Sequence, residues 1–299
     1  KKHTILIVLD KVNTIYNKSE ILKKNKNIKF IYSTKKNNSV PFNRNLGLSY
    51  AYKNFNIILY IDSDIIPKKN LVLNHVKGHL NYKDAAIIGG HIIPDFFKSK
   101  KNIWTVLDGC LSWFTSIPED SNRFINFPYH LPTCNMSIKM NFVKKYKLKF
   151  NTNLNTGEDV DFCNQVRYKK KKILLIKNAT VMHKDRSTFY SFFTHQMKWG
   201  RHQFYTLYKN NFLSSKSDIV FNFIFNFIFI IFYLPFMPII NFLTTLLALY
   251  PWVKYNVLYS VLIVPMYIAY LFKGFFTYLE SINSFCKIFS DISKIKFTK

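Results

Sequence analysis

Acidic residues and cysteines are both scarce in this chain. Asp and Glu number 16 against 43 Lys and Arg, which gives a formal net charge of +27 over 299 residues. The cysteines show no zinc-ligand spacing and fit a reducing compartment; they are Cys110, Cys134, Cys163 and Cys286. Lys, Asn, Ile, Phe and Tyr are abundant together, as A·T-rich codon usage produces, and no RNA-binding aromatic motif accompanies the basic charge. We therefore expect no nucleic-acid partner, and assign the basic charge to contact with anionic lipid.

Charge is absent altogether from two long segments near the C-terminus. No charged residue lies in the 35 positions between Asp218 and Lys254, and Tyr255–Phe272 adds 18 more. A membrane span needs about 20 apolar residues, so the second segment fits one span. The first is too long for one straight span and contains Pro235 and Pro238. We expect one kinked, tilted span there, with a re-entrant hairpin or a buried soluble core as alternatives.

Lysines flank these two segments unevenly. The short loop between them carries only Lys254, whereas the outer flanks carry Lys209, Lys216, Lys273, Lys287 and Lys294. The positive-inside rule then places both ends in the cytoplasm and requires an even number of crossings. The sequence predicts two.

Strand-like apolar runs alternate with helical segments before residue 188. Thr4–Leu9 is continuously apolar, as expected for a strand that is buried on both faces. The other strand-like runs are Ile28–Tyr32, Ile57–Ile61, Ala85–Gly90 and Lys171–Ile176, and Asn43–Tyr52 has a helical pattern. This alternation predicts a largely parallel, three-layer α/β sheet.

Two clusters hold five of the 16 acidic residues. Asp62–Asp64 follows the strand-like run Ile57–Ile61, and Glu158–Asp161 opens a helical pattern. Paired carboxylates at the end of a strand can hold a divalent cation and a phosphate-bearing substrate, although an acidic turn leading into Pro67 is an equally good interpretation. Carboxylates at a helix start are also favoured by the helix dipole, so a structural cap is the alternative for the second cluster.

Together with other segments in the same order, these clusters resemble the family 2 glycosyltransferases of GT-A fold. A strand ending in Asp-x-Asp is followed about a hundred residues later by Glu-Asp at a helix start. The other matching segments are Asn43–Gly47 (family pattern Ala-Arg-Asn-x-Gly), Thr133–Ile138 (small-Asn-Met), Val181–His183 (strand-end histidine) and His195–Trp199 (a degenerate Gln-x-x-Arg-Trp). The resemblance covers about Thr4 to Arg201. It implies a GT-A three-layer α/β sandwich, followed here by C-terminal transmembrane helices.

The resemblance implies a metal site and a catalytic base. Asp64 would bind Mg²⁺ or Mn²⁺, with Asp62 in the metal shell or on the ribose. His183 would complete the metal or phosphate site, or would be a buried structural histidine. Asp159 would be the general base that deprotonates the acceptor hydroxyl, so the reaction would invert configuration, and Glu158 would orient Asp159 or the sugar.

The remaining implied residues would bind substrate. Asp10 would contact the nucleotide base, Arg44 the base or a phosphate, and Asn135 the donor. Gln196 and Trp199 would line an acceptor channel near the membrane, with an aromatic interface anchor as the alternative.

The predicted organisation has four parts. Residues 1–187 form the catalytic domain, residues 188–217 an interfacial amphipathic helix, residues 218–273 two spans of which the first is kinked, and residues 274–299 an amphipathic cytoplasmic tail. A tail helix that packs on the soluble domain is the alternative for the last part. The family's first strand, with a Pro-x-Tyr-Asn-like end, is missing before Thr4, so we expect either an upstream extension or a compromised donor site.

The sequence thus predicts a metal-dependent, inverting glycosyltransferase anchored in the cytoplasmic membrane, with its catalytic domain facing the cytoplasm. It would move a sugar from a nucleotide-sugar donor to a lipid-linked or membrane-proximal acceptor in cell-envelope glycan synthesis. Three rivals remain: a metal-dependent nucleotidyltransferase, a non-catalytic or truncated membrane-bound relative, and a basic nucleic-acid-binding protein whose affinity falls steeply with salt.

Overall fold

The structure is a computed structural model that describes residues 4–9, 27–33, 39–94, 102–126, 129–154, 156–209 and 219–293. The first two strands, β1 (Ile5–Leu9) and β2 (Ile28–Tyr32), pair in parallel. The elements that follow, up to residue 183, are α1 (Val40–Asn54), β3 (Ile57–Ile61), β4 (Ile65–Pro67), α2 (Leu71–Asn81), β5 (Ala85–Pro94), α3 (Ile103–Trp113), β6 (Arg123–Phe124), β7 (Asn135–Lys139), α4 (Met140–Tyr146), α5 (Glu158–Tyr168) and β8 (Lys172–His183).

The main sheet is mixed rather than largely parallel. Its strand order is β3-β7-β5-β8-β4, and β6 pairs with β8. β5 and β8 are parallel, whereas β7 runs antiparallel to both of its neighbours, β3 and β5. The predicted α/β class is confirmed. The expectation of a largely parallel sheet is corrected, because β7 inserts a reversed strand between two strands that share a direction.

The strand β5 lies at the centre of the sheet because its apolar run can be covered on both faces. Residues 85–92 are all buried, and the pairing of β5 with β8 shifts register between Gly90 and Ile92. The two backbones approach so closely there that a Cβ atom on Gly90 would collide with the carbonyl oxygen of Ala179. Glycine at position 90 therefore permits β5 and β8 to stay paired as far as Pro94 and His183.

A helical segment follows β8 and continues to residue 209. α6 (Phe189–Gln203) begins after Thr188, whose side-chain oxygen accepts a hydrogen bond from the backbone N–H of Ser191. It runs directly into a π-helical turn, Phe204–Lys209. These residues occupy most of the predicted interfacial helix, and residues 210–217 of that prediction lie outside the described residues.

Two long helices complete the described chain. α7 (Ile219–Tyr255) is one helix of 37 residues that contains three prolines, and a 3₁₀ turn, Val257–Leu262, connects it to α8 (Ile263–Ser293). α8 continues without a break through residue 274, where the sequence analysis placed the start of a separate tail. Within the described ranges, Phe221–Tyr255 and Val257–Ser290 are long and apolar enough to cross a membrane, by length and composition.

Small residues allow α8 to lie between α6 and α7. A Cβ atom on Gly200 of α6 would collide with the backbone of α8, and the hydroxyl of Thr277 donates to the Gly200 carbonyl oxygen at 3.0 Å. On the other side, Gly274 leaves space for the side chain of Asn241 in α7. α6 and α8 are therefore held in direct backbone contact.

Candidate active site

The two acid clusters meet beyond the end of β3, where Arg44 contacts both Asp62 and Glu158. Asp62 and Asp64 follow β3, and Glu158 and Asp159 open α5. Cys134 is buried, and its burial together with the charges of Asp62, Asp159 and Asp64 raises the pKa of its thiol well above the ordinary value. Carboxylates that are almost a hundred residues apart in sequence thus share one location.

Arg44 joins the two clusters. From α1 its guanidinium donates one hydrogen bond to Glu158 Oε1 and a second to Asp62 Oδ1 at 3.3 Å. Its side chain is only 11% exposed, and the charges of both acids raise its pKa against the opposing effect of burial. The geometry favours a positioning role for Arg44, rather than the direct nucleotide contact that the resemblance implied.

Glu158 is a buried carboxyl with an unusual protonation equilibrium. Burial and the neighbouring charge of Asp159 outweigh the attraction of Arg44, and they raise the pKa of Glu158 from 4.5 to about 7. Glu158 therefore gains or loses its proton near neutral pH, next to the residue that was predicted to act as the base.

We expect Glu158→Gln to change how stability depends on pH. The unfolded chain releases the Glu158 proton near 4.5, but the folded chain keeps it until about 7. The folded state thus binds more protons across this window, and the free energy of unfolding falls as pH rises through it. Thermal unfolding in detergent between about pH 5 and pH 8 should show the stability of the wild type falling relative to Glu158→Gln. A constant difference would contradict the raised pKa.

His183 connects Asp64 to a second, buried carboxylate. Its Nδ1 lies 3.2 Å from Asp185 Oδ1, and its Nε2 lies 3.5 Å from Asp64 Oδ2. The indole Nε1 of Trp113 also donates to Asp185 Oδ1, at 2.7 Å. An ionised carboxylate only accepts hydrogen bonds, so a proton on Nδ1 would be directed at Asp185, and Nε2 would then be free to bind a cation beside Asp64. A carboxylate that orients a histidine in this way is typical of metal sites.

Asp185 and Trp113 were missed by the sequence analysis. A signal for Asp185 was available, because an acid two residues beyond a strand-end histidine is conspicuous in a chain with 16 acids. No local pattern marked Trp113, which reaches the site from α3, 70 residues before His183.

The three predicted metal ligands do not form one cluster. In the part of the chain that the structure describes, no group of three or more His, Cys, Asp or Glu side chains could enclose a metal ion. Asp62 is turned towards Arg44 instead. The other two ligands face each other: a carboxylate oxygen of the half-exposed Asp64 and the Nε2 nitrogen of His183. This pair fits Mg²⁺ or Mn²⁺, which accept oxygen and nitrogen ligands and complete their shells with water and substrate phosphates.

Asp159 is accessible and stands beside a histidine. Its side chain is 19% exposed, and its Oδ2 lies 3.9 Å from His130 Nε2. Burial lowers the pKa of His130 despite the attraction of Asp159, so the imidazole is neutral near pH 7. A carboxylate next to a neutral imidazole keeps its capacity to accept a proton.

Asn135 has a structural role in place of the predicted substrate contact. It is 1% exposed. Its amide nitrogen donates to the carbonyl oxygens of His91 and Ala179, at 3.1 and 3.0 Å, and its Oδ1 accepts from His75 Nε2 at 2.9 Å. The side chain therefore binds β7 to β5, β8 and α2, and offers no exposed group to a substrate.

The two predicted channel residues on α6 are placed differently. Gln196 is 1% exposed and lies in the interior, and its Nε2 has no hydrogen-bond partner among the described residues. Trp199 is partly exposed, and its ring lies 4.2 Å from the ring of His195. Only Trp199 can line a channel in this arrangement. Asp10, the predicted contact to the nucleotide base, lies outside the described residues.

Lys273 of α8 adds a cation that the sequence analysis counted only as a flanking charge. Its Nζ lies 5.1 Å from the centre of the Trp199 ring and 5.7 Å from that of Tyr270. Its charge contributes to lowering the pKa of both His130 and His195, although burial is the larger cause for each. Within the described ranges, no carboxylate forms an ion pair with Lys273. The ammonium group thus lies beside Trp199 and can accept an anion.

Comparison with curated proteins finds a relative in sequence. It is similar in sequence to the minor teichoic acid biosynthesis protein GgaB of Bacillus subtilis (strain 168), with 28% identity over 208 residues, 64% of this chain. The chain spans 21% of the length of that relative. No protein-family model matches.

Two solved structures are distant neighbours of this fold. The crystal structure of GalNAc-T7 with UDP, GalNAc and Mn²⁺ is 16% identical, with 61% of this chain and 38% of that chain covered and a TM-score of 0.45. The structure of S. aureus TarS 1-349 in complex with UDP-GlcNAc is 11% identical, with 99% and 84% covered and a TM-score of 0.46.

Proposed function

We propose that this chain is a membrane-associated, inverting glycosyltransferase of GT-A type. It would transfer a sugar from a nucleotide-sugar donor to a lipid-linked or membrane-proximal acceptor in cell-envelope glycan synthesis. One observation carries the proposal: Arg44 joins the strand-end acids to the start of α5, which carries Asp159, and Asp64 faces His183 and through it Asp185. The ordered sequence motifs and the similarity to a teichoic acid biosynthesis protein support it.

Asp64 and His183 would bind the divalent cation. Asp185, which accepts a hydrogen bond from Trp113, would hold His183 in the tautomer that this requires. When bound, Mg²⁺ or Mn²⁺ would neutralise the charge that develops on the departing nucleoside diphosphate. Asp62 forms an ion pair with Arg44 and would therefore contact the ribose of the donor rather than the cation.

Asp159 would accept the proton of the acceptor hydroxyl while that oxygen attacks the anomeric carbon from the face opposite the diphosphate. The Arg44–Glu158 ion pair fixes the first turn of α5, and with it the position of Asp159. A base must lie within hydrogen-bond reach of the proton it removes, so a fixed helix start is a requirement of this role.

Trp199 and Lys273 would bind the acceptor. An aromatic ring suits the face of a sugar or the start of a lipid chain, and the neighbouring ammonium suits a phosphate. Exposed basic residues, for example Lys198 and Lys287, favour a cytoplasmic location for the domain beside an anionic leaflet.

A donor survey tests the proposal. Membranes that contain the wild-type chain, incubated with Mn²⁺ and labelled nucleotide sugars of different base and sugar, should transfer label from one donor into the lipid-extractable or polymer fraction, and a chelator should stop the transfer. Incorporation of the nucleotide itself would instead favour a nucleotidyltransferase. No transfer and no metal-dependent nucleotide binding would favour the non-catalytic relative.

A further inference from the structure

The two long apolar helices contact the α/β domain at both ends of the hairpin they form. Near the start of α7, the rings of Phe225 and Phe229 lie 6.5 and 5.2 Å from the ring of Phe204, which is fully buried. Near the end of α7, the indole of Trp252 is also fully buried, and its Nε1 donates to the carbonyl oxygen of Cys110 in α3 at 2.9 Å.

Both contacts lead back to the candidate active site. Phe204 belongs to the π-helical turn in which Thr206 packs against Gly157, so closely that a Cβ atom on Gly157 would collide with it. Gly157 immediately precedes the acid cluster of α5. At the other end, α3 carries Trp113, the hydrogen-bond donor to Asp185. One folded domain therefore contacts α7 near both of its ends.

This packing conflicts with two crossings of a membrane. Phe229 and Trp252 are 23 residues apart, which is about 35 Å along a straight helix, whereas the hydrocarbon core is about 30 Å thick. A crossing helix would place its two contacts on opposite sides of the bilayer. If both contacts stayed on one side of a crossing helix, α3 or the charged start of α5 would have to enter the hydrocarbon core, where burying ionised side chains costs free energy.

The outward face of α7 nevertheless suits lipid. α8 lies between α6 and α7, so α7 forms the outermost layer. Apolar side chains on it that are at least half exposed occur from one end to the other: Phe221, Phe227, Phe232, Ile239, Leu243 and Leu247. Exposed basic residues flank this layer on α6 and at the ends of the hairpin: Lys198, Arg201, Lys254 and Lys287. An apolar surface of this length suits the acyl region, and the basic flanks suit anionic headgroups.

We propose that α7 and α8 form an anchor that lies in the plane of one leaflet and does not cross the bilayer. The outward face of α7 enters the acyl region, and both helix ends stay on the side of the α/β domain. Lys273, in α8, and Trp199, which it contacts, then belong to or adjoin this anchor, where a lipid-linked acceptor would enter. The inference rests on the proposed membrane association but not on sugar transfer.

Cysteine accessibility tests the anchor in cells. In a Cys286→Ser background, which removes the exposed native thiol, Lys254→Cys places a probe at the turn between α7 and α8. Tyr168→Cys, 65% exposed at the end of α5, is the matched probe on the α/β domain. A membrane-impermeant maleimide is applied to intact cells and to lysed cells, and membrane and soluble fractions are separated.

We expect both probes to respond alike, protected in intact cells and labelled after lysis, with the protein in the membrane fraction. Labelling of Lys254→Cys in intact cells while Tyr168→Cys stays protected would overturn the in-plane anchor in favour of two crossings. Recovery of a soluble dimer would overturn it as well, because a second copy would then cover α7. Neither readout depends on activity, so an inactive chain still decides the question.

Discussion

Replacing Asp159 with asparagine should lower the rate constant of sugar transfer by about 10²- to 10⁴-fold, the usual contribution of a general base. Asparagine has nearly the same shape but cannot take the proton of the acceptor hydroxyl. The nucleotide affinity should be unchanged, because the predicted cation ligands, Asp64 and His183, do not include Asp159. Single-turnover transfer and calorimetric titration of the nucleoside diphosphate measure the two quantities separately.

Asp161→Asn is the control for this experiment. It makes the same chemical change two residues later in α5, where the carboxylate accepts a hydrogen bond from Gln165 at 2.7 Å. Transfer by this variant should stay close to that of the wild type. If Asp159→Asn transferred sugar as fast as Asp161→Asn, Asp159 would not be the base.

Asp64→Ala should weaken the metal-dependent binding of a nucleoside diphosphate by more than about 100-fold. Asp64 is one of only two cation ligands that we assign to the chain, so its loss leaves His183 alone. Changing a residue that merely orients a ligand costs about 10- to 100-fold. Asp185→Asn, which affects His183 indirectly, should therefore fall in that lower range.

Asp84→Ala is a matched control for Asp64→Ala, since it removes the same charge from a position that is 84% exposed. It should bind nucleotide as the wild type does. Equal affinities for Asp64→Ala and Asp84→Ala would remove Asp64 from the cation site.

The sequence alone predicted the α/β class, and it singled out the two acid clusters that Arg44 brings together. An apolar run ending in Asp62–Asp64 stands out because acids are so rare in this chain, and the same scarcity marks Glu158–Asp161. Strand ends in an α/β sheet collect at its edges, which makes it reasonable that these clusters meet. Burial of β5 on both faces likewise follows from its continuous apolar composition.

What sequence could not supply was how side chains pair across the fold. Asn135 belongs to one of the segments that resemble the glycosyltransferase family. Only the approach of β5 and β8 shows that its amide nitrogen donates to the carbonyl oxygens of His91 and Ala179 in those strands. Arg44 and Asp62 form an ion pair that turns Asp62 away from the proposed cation ligands, Asp64 and His183. Lys273 reaches Trp199 because Gly200 lets α8 lie directly against α6. In each case the decisive partner is distant in sequence.

The prediction of two crossings rests on hydropathy alone, whereas the proposed in-plane anchor rests on contacts between residues that are distant in sequence. Hydropathy records that a helix is apolar, but not what touches its ends. The buried Trp252 and Phe204 carry that information, and their partners lie in α3 and α7 respectively.

Calorimetric titration of the wild-type protein with nucleoside diphosphates, with and without Mn²⁺ or Mg²⁺, tests the central claim most directly. The Asp64–His183 pair predicts measurable binding of one nucleotide when the cation is present and little or none after chelation. Equal nucleotide affinity with and without the cation would contradict the metal-dependent donor site.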